Sequence, residues 1–391
     1  MDGLSKTRGY IRVTHGELAM THSEKRLVLV GGGHAHIYSL KYADRFIAEG
    51  AEVILIGPDP FHYYSGMGPG MLSRIYEPEQ VRFNVQAIIE SRGGTFIKGK
   101  VVSIDAKNRT LLLEDGKTVD YDVLSCNVGS HVPLHLIPGA EGLAFPVKPI
   151  DQLERVRDTI VEKIKNGTPN ILLIGGGPAG VEMAGNIWRL VRAHKGNAQI
   201  ILANSTDRLL PTVAARAGRL AEKSLSRRGV KILSNFMAAS MDERTVYSQS
   251  GDSISYDVAI LTIGIVPPHI FVDSGLKTSP DGGLLVNDCL QSVDHLEIFG
   301  GGDCIAIQGR SLGRVGVYAV REAPILFYNL LARLTGKPIK TFRPQKRYML
   351  IFNLGDGTGI FARGPFVWKG KLAFRLKNYI DMGFMSKFQP A

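Results

Sequence analysis

Two glycine-rich segments of this 391-residue chain carry residue types at a spacing that can bind phosphate. In residues 27–36 (LVLVGGGHAH) and 171–180 (ILLIGGGPAG), an apolar run typical of a buried strand leads directly into three glycines. A strand that turns sharply into a helix brings backbone N–H groups and the positive end of the helix close to a phosphate. The pattern therefore predicts two sites for the pyrophosphate of a dinucleotide. The glycines at the required spacing are Gly31 and Gly33 in the first segment and Gly175, Gly177 and Gly180 in the second.

A third glycine-rich run, IFGGGDC at residues 298–304, places a carboxylate after a predicted strand. Asp303, next to Gly302, can there accept hydrogen bonds from the ribityl hydroxyls of a flavin. The helix predicted after Arg314 points its N-terminus at the flavin O2 atom, where it stabilises negative charge on the reduced ring. We therefore predict that Gly302, Asp303 and Arg314 bind FAD; the alternative is a structural Gly-Asp turn.

Three side chains near these segments are candidates for catalysis. Lys148 lies between two prolines at a predicted domain crossing, and it either approaches the N5 side of the flavin or is a solvated lysine. Glu182, in the first turn of the second helix, either relays a proton or interacts with the helix dipole. His34, which follows Gly33, is expected to bond to phosphate or flavin. No cluster of cysteines or aspartates accompanies His34 and His36, so we predict no metal site.

The end of the second strand of each dinucleotide-binding unit usually carries an acid for the adenosine ribose. In the first unit the nearest acid is Asp59, which either binds the ribose or is a turn residue beside a proline. In the second unit, Asn204 stands where the acid is expected. The loss of a charge-assisted bond of roughly 1.5–3 kcal/mol weakens NADH binding about ten- to a hundred-fold. No arginine follows immediately to favour NADPH, so these residues argue against tight NADH binding and leave its use open.

The strands and helices predicted around these residues indicate an α/β protein with two Rossmann-like dinucleotide-binding domains and a C-terminal segment. The predicted parts are a disordered leader or tag (1–23), a discontinuous FAD-binding domain (24–147 and 265–336), an NAD(P)-binding-like domain (148–264) and a basic C-terminal region (337–391). The leader carries no apolar core of the signal-peptide type, so we do not expect export. Three cysteines far apart in sequence fit a reducing cytoplasm, and we expect all three to be structural.

Charge is concentrated at the C-terminal end of the chain. The whole chain has a formal net charge of +11, and residues 337–391 hold +9 of it, from eleven basic and two acidic residues. The last segment, residues 370–388, reads as a helix in which Leu372, Leu376, Tyr379, Ile380 and Gly383 share one face. Such a basic amphipathic helix is typical of proteins that lie on an anionic membrane. The alternative is a helix docked on the flavin domain or on a second copy in a homodimer.

Several motifs together resemble one branch of a known superfamily. They are GGGHAH, YYSGMGPGM, FPVKPID, LVNDCLQS, AVREAP, TFRPQKR and IDMGFMSKF. Residues 25–391 resemble the flavoprotein disulfide reductase superfamily with two dinucleotide-binding domains, in the branch of type II NADH dehydrogenases and sulfide:quinone oxidoreductases. Within that branch the motifs look most like the FAD domain fused to some selenide, water dikinases.

The resemblance implies FAD at Gly31, Gly33 and Asp303, a membrane-peripheral C-terminal region and, in the dehydrogenase branch, NADH at the second glycine turn. Two departures are visible. His36 replaces the third glycine of the first turn. Sulfide:quinone oxidoreductases use a pair of cysteines close to the flavin. None of Cys126, Cys289 and Cys304 falls at those two positions.

These observations lead to one main hypothesis and two alternatives. The main hypothesis is an FAD-dependent oxidoreductase, peripheral on the inner face of the cell membrane, that passes electrons from NAD(P)H or another small donor to a quinone. The first alternative is an FAD oxidoreductase of selenium or sulfur metabolism that does not use NADH. The second is a basic binding module with structural FAD, although no motif for nucleic-acid recognition accompanies the basic tail.

Overall fold

The computed structural model describes residues 25–345 and 347–389, so the leader or tag predicted for residues 1–23 lies outside the described residues. In chain order, the strands of this part are β1 (Lys25–Val30), β2 (Ala51–Gly57), β3 (Phe61–Tyr63), β4 (Arg82–Asn84), β5 (Thr95–Lys98), β6 (Val101–Asp105), β7 (Thr110–Leu113), β8 (Thr118–Asp120), β9 (Val123–Cys126), β10 (Ala144–Pro146), β11 (Asn170–Ile174), β12 (Gln199–Ala203), β13 (Lys231–Leu233), β14 (Ala238–Met241), β15 (Thr245–Ser248), β16 (Ser253–Ser255), β17 (Val258–Leu261), β18 (Leu284–Val286), β19 (Ile298–Gly300), β20 (Ile305–Ile307), β21 (Leu350–Asn353), β22 (Gly359–Arg363) and β23 (Phe366–Gly370). The helices are α1 (Ile37–Lys41), α2 (Asp44–Ile47), α3 (Gly68–Leu72), α4 (Val85–Glu90), α5 (Gln152–Lys165), α6 (Pro178–Ala193), α7 (Ala215–Ser226), α8 (Ile270–Asp273), α9 (Gly316–Thr335) and α10 (Lys371–Phe388).

The first glycine-rich segment belongs to a five-stranded parallel sheet with the order β19-β9-β1-β2-β5. Its central strand β1 is buried from Leu27 to Val30. Helices cover both faces of such a sheet, which explains why β1 reads as a continuous apolar run rather than an alternating one. The strand β19, from late in the chain, lies beside β9 and brings the Gly-Asp run to the same edge as the first glycine turn.

The second glycine-rich segment belongs to a separate five-stranded parallel sheet with the order β10-β17-β11-β12-β13. Strand β11 ends at Ile174, and α6 begins four residues later, so the second segment forms the predicted strand–turn–helix. Strand β10 also belongs to this sheet, although it precedes residue 148, where we place the start of the second domain. The α/β fold with two Rossmann-like units is confirmed.

The C-terminal segment forms a third structural unit. The antiparallel sheet β21-β22-β23 packs against α10, and β21 also contacts α6 of the second unit. Helix α3, from the first unit, contacts both α5 and α6. The three units therefore meet along α3, α6 and α10. No helix of the described residues is long and apolar enough to cross a membrane.

Candidate active site

The first glycine turn is built around Asn127, which directly follows β9. Its Oδ1 accepts the Ala35 N–H at 3.0 Å, and its Nδ2 donates to the Gly301 carbonyl. Gly31 has φ +86°, and a Cβ there would overlap the Asn127 backbone, whereas a Cβ at Gly33 would overlap the Asn127 side chain. Only glycine fits at these two positions, so the turn leaves its backbone accessible in the way a pyrophosphate site requires.

His36 fills the space that a third glycine would leave. The ring is fully buried, with Nδ1 at 2.6 Å from the Gly31 carbonyl and Nε2 at 2.8 Å from Ser125 Oγ. Burial lowers the pKa of His36 to about 4, so the imidazole is neutral at physiological pH. The residue acts as a hydrogen-bonded spacer between the turn, α1 and β9. This explains how the turn tolerates the departure from the glycine pattern.

The late Gly-Asp run contacts the domain-crossing segment, a contact that the sequence does not predict. Asp303 Oδ2 accepts from Lys148 Nζ at 2.7 Å and from Ser130 Oγ at 2.9 Å. Both charged side chains are largely buried, since Lys148 is 22% exposed and Asp303 15%. An ion pair that is mostly removed from water is held more firmly than a surface pair. The carboxylate is therefore fixed at the edge of the first sheet.

A small cleft, of about 50 Å³, opens beside this carboxylate. Its lining includes Gly302, Asp303, Arg314 and Glu322. Glu322 Oε2 accepts the Gly302 N–H at 2.6 Å, and burial raises the pKa of Glu322 to about 7. Arg314 Nη2 lies 2.9 Å from Asp281 Oδ2, so an ion pair fixes the guanidinium at the cleft wall.

His34 lies within a cluster of aromatic rings between the first unit and α10. Its Nδ1 is 3.1 Å from His62 Nε2, and its ring centroid is 5.2 Å from that of Tyr64 and 6.0 Å from that of Phe384. Burial, and more weakly the charge of Lys148, lower the pKa of His34 to about 4. The Nε2 atom of His34 is buried and has no hydrogen-bond partner among the described residues. A ligand atom at this point would satisfy it.

Glu182 lies in a buried polar cluster where the three units meet. Its Oε1 accepts the Asn353 N–H at 2.7 Å. Lys377 Nζ donates to Asp381 Oδ2 at 2.8 Å, and Tyr64 Oη donates to Asp381 Oδ1 at 3.1 Å. Burial raises the pKa of Glu182 to about 7, although Lys377 acts in the opposite direction. Burial also opposes the charge on Lys377, but Asp381 and Glu182 raise its pKa above the usual value.

The second glycine turn keeps the glycine spacing without substitution. Gly175 has φ +120°, and a Cβ there would come within 2.6 Å of the Thr262 carbonyl. A Cβ at Gly180 would overlap the Gly175 carbonyl, so this glycine allows α6 to pack closely on the strand. At Gly177 a Cβ would meet no described atom within 4 Å, so there is free space beside this residue at the start of α6.

The two positions considered for the adenosine ribose are occupied as follows. Asp59 Oδ1 accepts the Phe61 N–H at 2.8 Å, the contact of the turn-residue alternative. Asn204, which stands where the acid of the second unit is expected, is 3% exposed. A ribose role for Asp59 stays a prediction.

The cysteines are free thiols, and all three lie in the described part of the chain. Cys126 and Cys304 are buried, and burial raises the pKa of both, to about 12 for Cys304 and well above the usual value for Cys126. Reactivity requires the thiolate, so these two thiols are poor nucleophiles.

The structure brings the predicted residues into two groups joined by aromatic side chains. One group is Lys148 with Asp303; the other contains Glu182, and His34 lies between them beside Tyr64. Sequence reasoning missed several participants, namely His62, Tyr64, Asn127, Glu322, Lys377 and Asp381. The i, i+4 spacing of Lys377 and Asp381 was a signal of an ion pair, but nothing in the sequence indicates that the pair is buried.

Three comparisons relate the chain to known proteins. A family model described as pyridine nucleotide-disulphide oxidoreductase matches residues 25–323. The chain is 25% identical over 368 residues to the NADH dehydrogenase-like protein YutJ of Bacillus subtilis, an alignment that covers 90% of this chain and 97% of that protein.

Two solved structures share the fold. The sulfide:quinone oxidoreductase of Aquifex aeolicus superposes with a TM-score of 0.78 and 18% identity, over 93% of this chain and 91% of that one. The NDH2 of Plasmodium falciparum, solved with NADH, superposes with a TM-score of 0.77 and 14% identity, over 93% of this chain and 98% of that one. Since the family model spans both dinucleotide-binding units, the chain belongs to the pyridine nucleotide-disulphide oxidoreductase family and is a flavin-dependent oxidoreductase.

Proposed function

We propose that this enzyme uses bound FAD to transfer electrons from a reduced nicotinamide dinucleotide to a quinone at a membrane surface. The observation that carries the proposal is the pair of open glycine turns on two parallel sheets, with Asp303 held against Lys148 from the segment that joins them. In this proposal the first glycine turn binds FAD, and the second glycine turn binds the electron donor. The relatives support this reading, because their names include an NADH dehydrogenase-like protein and a quinone oxidoreductase.

The residues of the first unit fit FAD. Gly31 and Gly33 form a cradle that any Cβ would fill, and Asp303 lines a cleft beside it. We assign the pyrophosphate to the first turn and the ribityl hydroxyls to Asp303, and we place Gly302 and Arg314 at the cleft wall. When bound, FAD supplies the two-electron chemistry that side chains lack.

Lys148 and His34 have positioning roles in this proposal. Lys148 holds the Asp303 carboxylate in place through their ion pair, and so fixes the acceptor that we assign to the ribityl hydroxyls. His34 offers a buried, neutral imidazole with one unpartnered nitrogen, suited to a hydrogen bond with the cofactor.

Glu182 has the proton-transfer role. A quinone that accepts two electrons also needs protons, and a carboxyl group with a pKa of about 7 both holds and releases a proton at physiological pH. Tyr64, Lys377 and Asp381 form a hydrogen-bonded group beside it. We propose that this buried cluster delivers the proton to the acceptor.

The outer face of α10 fits an anionic membrane. Leu372 and Tyr379 are 67% and 78% exposed, and Leu376 and Ile380 lie on the same side of the helix. Exposed basic residues flank this apolar stripe, namely Lys371, Arg375 and Lys387. Each cation contributes about 1 kcal/mol near an anionic surface. We propose that α10 lies in the membrane interface, on the cytoplasmic side, and receives the quinone there.

Anaerobic rapid mixing of the FAD-loaded enzyme tests the proposed donor. We expect NADH or NADPH to bleach the flavin absorbance and a soluble quinone to restore it. Bleaching by sulfide or selenide, with none by either dinucleotide, would refute the nicotinamide donor and support the sulfur and selenium alternative. A flavin that no donor reduces would contradict the enzymatic reading as a whole.

A further inference from the structure

The loop after β12 determines how the second nucleotide-binding unit contacts the adenosine half of a dinucleotide. Asn204 is the first residue after β12, and a Cβ at Gly176 would overlap Asn204 Oδ1, so the asparagine lies directly against the second glycine turn. An acid at this place in the fold reads the 2′-hydroxyl of NADH, and a cation nearby reads the 2′-phosphate of NADPH.

The Asn204 side chain carries no charge, its amide nitrogen is used by its own loop, and its Oδ1 lies against Gly176. Its Nδ2 donates to the Thr206 carbonyl at 2.9 Å, to Thr206 Oγ1 at 3.0 Å and to the Arg208 carbonyl at 2.8 Å. The side chain is 97% buried as a result, since only 3% is exposed. It organises the loop, and it brings neither the negative charge that rejects a 2′-phosphate nor a charge-assisted bond to a 2′-hydroxyl.

The nearest cation along the loop is also committed to the chain. Arg208 Nη1 donates to the Leu210 carbonyl at 3.2 Å and to the Val213 carbonyl at 3.1 Å, while Nη2 donates to the Pro211 carbonyl at 2.6 Å. These three contacts hold the guanidinium against the backbone of its own loop. A phosphate clamp needs free paired donors, so Arg208 is not available as one.

The part of the turn that would hold a diphosphate is open. Helix α6 is sixteen residues long, has Pro178 in its first turn and has no side-chain cap at Gly177 among the described residues. A Cβ at Gly177 would meet no described atom within 4 Å, so there is room beside the start of α6, where unpaired helical N–H groups can bind a phosphate. Binding at this unit depends on the diphosphate, which NADH and NADPH share.

We propose that the second nucleotide site takes NADH and NADPH with little discrimination, because the residues that end β12 read neither the 2′-hydroxyl nor the 2′-phosphate. This inference rests on the proposed function, since it assigns a nicotinamide dinucleotide to that site. It adds to the proposed function that NADH and NADPH both serve as electron donors.

Calorimetric titration of the oxidised, FAD-loaded enzyme with NAD⁺ and NADP⁺ tests the inference without any turnover. We expect the two Kd values to lie within about ten-fold of each other, because the charge-assisted bond that separates them elsewhere is absent. A preference of a hundred-fold or more for either dinucleotide would overturn the inference and leave the proposed function in place. Absence of binding by both would overturn the inference together with the nicotinamide donor.

A substitution that adds a charge to the loop after β12 allows a second measurement. Ser205 is exposed and follows Asn204, so Ser205→Arg adds a free cation without disturbing the buried amide. We expect this variant to tighten NADP⁺ binding about ten-fold relative to NAD⁺. The matched control is Ser253→Arg, at an exposed position of β16 in the same unit, and it should leave the ratio unchanged. An unchanged ratio in Ser205→Arg, or an equal change in both variants, would contradict the placement of the adenosine 2′ group at this loop.

Discussion

At the scale of single residues, the site contains several titratable side chains that burial keeps neutral or only partly ionised. Burial favours the uncharged form, so it raises the pKa of Glu182 and Glu322 to about 7 and lowers the pKa of His34 and His36 to about 4. The two carboxyl groups therefore titrate near neutral pH, whereas the two imidazoles stay neutral there. Of these four groups, the carboxyl groups are therefore the ones suited to the proton transfer that we propose.

This difference leads to a prediction about Glu182 and pH. Its pKa is raised on folding from 4.5 to about 7, so the proton it binds stabilises the fold fully below pH 4.5, and that contribution is lost as pH rises towards 7. Glu182→Gln removes the effect but keeps the acceptor for Asn353. Relative to wild type, the variant should gain roughly 1.4 kcal/mol per pH unit inside this window, a shift of a few degrees in Tm.

Thermal unfolding at pH 5 and pH 7.5 measures this gain. Glu222→Gln, at an exposed position on α7, is the matched control and should show no change in its Tm difference from wild type. A Tm difference between Glu182→Gln and wild type that is the same at both pH values would show that Glu182 does not titrate in this range.

Prediction at the residue level is possible where local spacing carries the information. The glycine positions could be predicted because the turn geometry is set within a few residues. The contact between Lys148 and Asp303 could not be predicted from local spacing, because it depends on where the domain-crossing segment that carries Lys148 lies in the fold. The neighbours of Glu182 could not be predicted, because Lys377 comes almost two hundred residues later and reaches Glu182 only through the packing of α10.

At the scale of elements, α10 combines the two roles that the sequence left as alternatives. Ala373, Lys377, Asp381, Met385 and Phe388 are buried. This packed side agrees with the alternative in which the helix docks on the rest of the chain. The opposite side carries the exposed apolar stripe expected of a helix that lies on a membrane. The amphipathic pattern predicts which residues share a face, but it does not decide whether that face is docked or exposed, and the structure shows that the stripe is exposed.

The exposed stripe leads to a prediction about membrane binding. Leu372→Ser together with Tyr379→Ser removes two large apolar side chains from the outer face, and burying one such side chain contributes about 1.5–3 kcal/mol. We expect the double variant to bind phosphatidylglycerol vesicles at least ten-fold more weakly than wild type in a sedimentation assay, with an unchanged Tm.

Leu136→Ser is the matched control, because Leu136 is 61% exposed on the first unit, away from α10 in sequence. This control should bind vesicles as wild type does. Equal binding by wild type and the α10 variant would exclude α10 as the membrane contact. Binding of wild type to phosphatidylcholine as strong as to phosphatidylglycerol would contradict the contribution of the flanking cations.

At the scale of the whole molecule, two parallel sheets and a C-terminal unit bring two polar groups of side chains together. One contains Asp303 and Lys148, the other contains Glu182, and the aromatic cluster of His34 and Tyr64 lies between them. The fold class could be predicted from two glycine segments alone, because each specifies a strand, a turn and a helix. The meeting of three units at the second cluster could not, since it depends on how α3, α6 and α10 pack.

The central claim is that FAD is bound at the first glycine turn and at Asp303. The most direct measurement is the flavin content of the purified, FAD-reconstituted protein, compared with that of Asp303→Ala and Gly33→Ala. We expect about one FAD per wild-type chain, and a large loss in both variants while Glu222→Gln keeps the full content. A wild-type protein that stays colourless after reconstitution, or variants that retain FAD as wild type does, would contradict it.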